Sequence, residues 1–132
     1  MIFLIDTDII IYSLKNNPIV QKHFLDHALD PKTISVITFG EMVFGAKKSR
    51  SLKNLATVHR IAELFPVIDI SKAIMETYGN IKAETQEKGN PIDDMDLLIA
   101  ATALTQNYTL VTNNEKHFAK IPGLVIQNWT KP

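Results

Sequence analysis

Apolar residues along the chain fall into two rhythms. Short unbroken runs alternate with longer stretches that repeat every three or four residues. Ile2 to Ile5 is a continuous apolar run, which predicts a strand buried on both faces of a parallel sheet. A short helix is expected over 8–15. A second is expected over 19–29, where Val20, Phe24, Leu25 and Ala28 fall at helical spacing. Thr33 to Ile37 reads as a strand and 39–49 as a helix, followed by an amphipathic helix over 52–65. Val67 to Ile70 predicts a further strand, 72–88 a helix ending at Gly89, and 95–106 a strongly apolar helix. Tyr108 to Thr112 and Val125-Ile126 complete the set as strands. Punctuation is local, at Asn17-Pro18, Asp30-Pro31, Gly89-Asn90-Pro91 and Ile121-Pro122-Gly123, with no linker or repeat. The expectation is one α/β domain over 1–132, a short parallel sheet with helices on both faces. In such sheets ligands bind beyond the C-terminal ends of the strands.

Composition narrows the classes. With 45% apolar residues in 132, a packed core is affordable and disorder is not expected. Fourteen basic and fourteen acidic residues cancel, which excludes a uniformly basic nucleic-acid coat but not a local patch. The absence of Cys removes disulfide scaffolds, zinc ribbons and thiol catalysis. No apolar run approaches the roughly 18 residues that span a bilayer, and the opening Met1 to Ile5 lacks the basic start of an export signal. A soluble cytoplasmic protein is the expectation.

Three carboxylates fall at predicted strand ends. Asp6 ends the first strand, Glu41 is expected in the first turn of the helix after the second, and Asp96 in the first turn of the most apolar helix. Asp8, Asp93 and Asp94 lie close to them in sequence. Each has a plain helix-end reading: Asp6, Thr7, Asp93 or Asp94 as caps, and Thr38-x-x-Glu41 as a capping box. Folding alone gives no reason to gather so many like charges at one crevice, whereas a divalent cation relieves their repulsion. Oxygen donors without Cys or a His cluster favour Mg²⁺, or Mn²⁺, and the matching chemistry is phosphoryl transfer. The charge map agrees. Residues 42–62 carry Lys47, Lys48, Arg50, Lys53 and Arg60 with no acid, while 84–96 hold five acids and one Lys. A basic run beside an acidic crevice suits a polyanion such as RNA.

These segments resemble VapC-type toxin ribonucleases of the PIN-domain family. Ile5 to Tyr12 (IDTDIIIY) is similar to the family's opening motif. Ser35 to Thr38 with Glu41 and Gly45 resembles the second. Gly89 to Ile92 with Asp96, Ile99 to Ala101 and Ala103 resembles the third. Leu110 to Asn114 with Phe118 and Pro122 to Leu124 resembles the fourth. The resemblance implies a PIN-like fold and the toxin of a type II toxin–antitoxin pair. It implies a Mg²⁺-dependent endoribonuclease that stops translation by cutting RNA, in several members a tRNA. It further implies a homodimer inhibited by a VapB-type antitoxin, through which alone it meets operator DNA. The family's catalytic and metal positions map to Asp6, Glu41 and Asp96, with Asp8, Asp93 and Asp94 as further candidate ligands and Lys47, Lys48, Arg50 and Lys53 as candidate RNA contacts. The chain departs from the family at Asp8, commonly Asn, and at His117, where an acid often precedes the Phe. Asn114 takes the place that is Asp in some PIN domains. A fourth acid is then expected from Asp8, Asp93 or Glu115.

Two alternatives share some of these residues. Asp6-Thr7-Asp8 has the D-x-D form of haloacid-dehalogenase-type phosphatases, and a PIN-like domain could bind a partner without catalysis. His23, His27 and His59 read as core or surface residues, Phe39, Met42 and Phe44 as packing or dimer contacts, and Trp129 as an anchor for the tail.

Overall fold

A computed structural model describes residues 1–132. Five parallel strands run β1 (Phe3–Ile5), β2 (Lys32–Ser35), β3 (Val67–Ile68), β4 (Thr109–Val111) and β5 (Ile126–Gln127). Their spatial order is β3-β2-β1-β4-β5. The chain first builds outward from β1 to β3, then returns to the other side of β1 to add β4 and β5. The gap between β1 and β4 is therefore the topological switch point, where such sheets open a crevice.

Seven helices complete the chain. They are α1 (Thr7–Leu14), α2 (Pro18–Asp26), α3 (Val36–Lys48), α4 (Leu52–Leu64), α5 (Lys72–Glu87), α6 (Asp94–Gln106) and α7 (Glu115–Phe118). The strand residues point alternately to two cores, as the pleat requires. Phe3, Ile5, Ile34 and Val111 pack with residues of α1 to α4 and with Trp129. Leu4 and Leu110 pack with α5, α6, Phe118 and Ile121. The three residues of β1 are fully buried, as its unbroken apolar run predicts.

One boundary corrects the sequence reading and moves a site residue. Val36-Ile37 is β-branched and reads as strand, yet β2 stops at Ser35 and α3 begins at Val36. Ser35 is the helix cap, its Oγ accepting from the Ile37 N–H at 3.0 Å. Thr38 is thus inside the helix, and the expected Thr38–Glu41 capping box does not form. Thr38 Oγ1 is buried without a hydrogen-bond partner. Glu41 lies in the second turn of α3, not the first.

The short α7 is absent from the sequence reading, because one turn gives no periodicity. Trp129 anchors the tail as expected. It stacks on the His27 ring at 5.2 Å and the His23 ring at 5.7 Å, and meets Phe3 edge-on at 5.1 Å. The remaining His59 lies edge-on to Phe39. No helix is long and apolar enough to cross a membrane.

Candidate active site

The crevice is built at the switch point from the residues that follow β1 and β4. Asp6 caps α1, its Oδ1 accepting from the Thr7 N–H at 2.9 Å. Its Oδ2 accepts from Thr112 Oγ1 at 2.8 Å across the gap between the strands. Asp6 is only 8% exposed. Burial, reinforced by the nearby charge of Asp8 and more weakly by Asp96, pushes its carboxyl up to about 7, although the two hydrogen bonds oppose the shift.

Asp8 sits one step into α1. Its Oδ2 accepts from the Asn113 N–H at 3.1 Å, so the loop after β4 holds both acids of the opening motif. Burial and Asp96 raise its pKa, against hydrogen bonds from Asn113 and Ile9. Glu41 reaches across from α3 and accepts from Thr7 Oγ1 at 2.9 Å. Partial burial and the charges of Asp96, Asp93 and Asp8 raise its pKa, against the Thr7 bond. Asp96, in the first turn of α6, meets His117 Nδ1 at 3.3 Å, and Asn114 lies 3.0 Å from the same nitrogen. Asp6, Asp8, Glu41 and Asp96 therefore share one electrostatic environment, in which the charge of Asp96 disfavours ionisation of each of the other three and that of Asp8 acts on Asp6 and Glu41.

Three neighbouring acids are engaged in other ways. Asp94 is drawn to α5, accepting from Tyr78 Oη at 2.7 Å and Lys82 Nζ at 2.8 Å, and these bonds lower its pKa. Asp93 caps α6 through the Met95 N–H at 3.2 Å while still facing Glu41 electrostatically. Glu115 is paired with Lys131 at 2.6 Å, which lowers its pKa and holds it away from the role of a fourth acid. Thr112 and Asn113 fall within the fourth motif, but the sequence does not single them out as site residues, because their bonds to Asp6 and Asp8 are made across the sheet.

No three His, Asp or Glu side chains stand together at metal-holding geometry. The donor set nonetheless fits a hard divalent cation. It consists of carboxylate oxygens whose mutual repulsion a cation removes, and Mg²⁺ keeps several of its own waters and needs only one or two direct carboxylates. Asp6, Asp96 and Glu41 are the residues that would hold it, with Asp8 beside them.

A cleft of about 200 Å³ leads from Glu41 along α1, α3 and α4, lined by Thr7, Ile11, Met42, Ala46 and Val58 among others. Beyond Ala46 the surface becomes basic, at Lys47, Lys48, Arg50 and Lys53. All four are exposed and none is ion-paired.

This fold and this crevice define a nuclease-type α/β domain, and comparison gives its family. The PIN domain model matches residues 3–124, and the chain belongs to the PIN domain family. It is 34% identical over 134 residues to Ribonuclease VapC2 of Rickettsia felis, covering 99% of this chain and 100% of that one. It is 31% identical to the tRNA(fMet)-specific endonuclease VapC of Shigella flexneri, covering 97% and 98%. The solved structure of VapBC2 from Rickettsia felis, bound to a DNA fragment from its promoter, superposes with a TM-score of 0.90 at 33% identity. That match covers 98% of this chain and 99% of the other. Within the PIN family the chain thus belongs to the VapC-type ribonucleases. The phosphatase alternative built on Asp6 and Asp8 falls with that assignment.

Proposed function

We propose that the crevice is the active site of a toxin endoribonuclease that cuts RNA with the aid of a bound divalent cation, Mg²⁺ or Mn²⁺. The observation that carries the reading is the gathering of Asp6, Asp8, Glu41 and Asp96 at the switch point, where burial and neighbouring charge push the carboxyls of Asp6, Asp8 and Glu41 upward. Such an arrangement costs folding energy and returns it when a cation enters. A bound cation supplies an activated water and neutralises charge on the scissile phosphate. The chain's own residues prepare that step. Thr112 and the Thr7 N–H fix both oxygens of Asp6, Thr7 Oγ1 turns Glu41 inward, and Asn113 holds Asp8. The basic residues 47–53 guide the RNA backbone toward the acids, whose own charge would otherwise repel it.

The partner follows from the same relatives. The structural neighbours include toxin–antitoxin complexes, and a VapB-type antitoxin is the proposed inhibitor. Exposed Ile11 and Leu14, at 42% and 53%, border the apolar cleft next to Glu41, where a covering segment would seal the pocket. Contact with operator DNA would then run through the antitoxin. A homodimer of single-domain protomers, a cytoplasmic location and a tRNA substrate complete the proposal.

The test is cleavage of RNA by the purified chain. EDTA should stop it and Mg²⁺ or Mn²⁺ restore it, with an Asp96→Asn preparation silent throughout. Undiminished cleavage in EDTA, absent from the Asp96→Asn control, would overturn the metal-dependent reading.

A further inference from the structure

Glu41 also lines a second groove, of about 330 Å³, which shares no other residue with the cleft described above. Its remaining walls are Val36, Ile37, Gly40 and Phe44 of α3 and Met95 of α6. Apart from the Glu41 carboxylate, no lining side chain is polar. Phe44 belongs to neither core and is 68% exposed, so it is not the packing residue its type suggests. Helical side chains lean toward the N-terminus, which lays Phe44 over the turn of Gly40 and Glu41. Met95, 50% exposed, directly precedes Asp96. Glycine within a helix weakens it, and no neighbour demands Gly40: a Cβ there would meet nothing within 4 Å. The small residue keeps the groove open.

We infer that this groove is a nucleobase subsite, in which an unstacked RNA base lies against the Phe44 ring and Met95 while its phosphate meets the acids. The inference rests on the reading of the crevice as the RNA-cutting site. Continuity favours this occupant, because Glu41 borders groove and crevice alike and Met95 is one residue from Asp96. Size favours it too. Phe44 and Met95 expose on the order of 200 Å² between them, which suits one face of a base but is a fraction of the ~800 Å² per partner that a stable protein interface buries. Every base has a π face to lay on the ring, and stacking discriminates by its strength rather than by hydrogen bonds. With no donor among the lining side chains, the groove should take purines, with their larger face, ahead of pyrimidines.

The experiment uses the full chain and a short single-stranded RNA that it cuts at one position, in versions lacking one base at a time on either side of the cut. Removing the base that fills the groove should slow the wild type roughly tenfold. Phe44→Ala should lose about as much on intact RNA, in KM rather than kcat, and be indifferent to removal of that same base. Phe44→Trp should keep the wild-type rate. Gly40→Leu fills the groove yet suits a helix, so it should cut like Phe44→Ala while melting no lower than the wild type. Equal losses on base removal in wild type and Phe44→Ala overturn the inference and leave the crevice standing, as does an unchanged rate of Phe44→Ala on intact RNA. A changed sedimentation of Phe44→Ala, with cleavage lost whichever base is present, assigns this face to a second copy of the chain and overturns it equally. If Asp96→Asn cuts as the wild type does, the crevice reading fails and the inference falls with it.

Discussion

The floor of the crevice and its outer wall hold the same residue type under opposite conditions. On the floor, Asp6 is buried, faces other acids, and has no cationic partner; its hydrogen bonds come from Thr7 and Thr112. On the wall, Asp94 is exposed and bonded to Lys82 and Tyr78 on α5. The first carboxyl is pushed up to about 7 and the second is lowered. Asp94 is a fastener between two helices, and its charge is already answered within the protein. The charge of Asp6 is not, and that is the condition a ligand can exploit. Proximity to the site in sequence therefore says little about participation in it; the partner of each carboxylate decides.

The largest test of this contrast is Asp6→Asn. It should cut RNA cleavage at least about 100-fold while leaving the fold intact, because the amide keeps the shape and sheds an unfavourable buried charge. Cleavage assays beside calorimetric melting decide it, and a strongly lowered Tm in the variant would make Asp6 a structural residue instead.

Next comes the pH dependence of stability without cation. Asp6 holds its proton in the folded state up to about pH 7 but releases it near 3.8 when unfolded. The folded state therefore binds more protons between those values. Stability should be greatest, for this group, below its unfolded pKa and decline as pH rises through the folded one, levelling off above it. Its contribution is on the order of 1–4 kcal/mol. Asp8 and Glu41, also raised, act in the same direction. Urea melts from pH 5 to 8 should show the decline in wild type and a flatter profile in Asp6→Asn.

A smaller effect is expected from the basic run. Replacing Lys47, Lys48, Arg50 and Lys53 together by Gln should weaken RNA binding and reduce its logarithmic salt slope by up to about 3, at roughly 0.7 per lost contact on single strands. Filter binding at several salt concentrations reads the slope, and an unchanged value would return the run to a plain solvated face. The smallest change belongs to Asp94→Asn, which should lower Tm slightly and leave cleavage as it was. A loss of cleavage comparable to that of Asp6→Asn would erase the distinction between wall and floor.

The sequence carried the architecture well because it rests on repetitive signals. An unbroken apolar run marked β1, and helical spacing marked α4 to α6. The acids at strand ends could be listed as candidates for the same reason. What could not be read was pairing at a distance. Nothing local tells that Asp94 turns to Lys82, that Glu115 turns to Lys131, or that Thr112 and Asn113 reach back to the opening motif. The start of α3 was missed because Val36-Ile37 has strand propensity, which the packing of the helix against the sheet overrides.

The bonds that tie Asp6 to Thr112 and Asp8 to Asn113 join residues 106 and 105 positions apart. Closing so long a loop carries an entropic cost that must be met before either contact contributes, which makes such pairings slow to form. Asp6 and Asp8 are made first, and Thr112 and Asn113, which orient them across the sheet, are made near the end. A nascent chain thus carries its first two acids for most of its synthesis without the strand that arranges them.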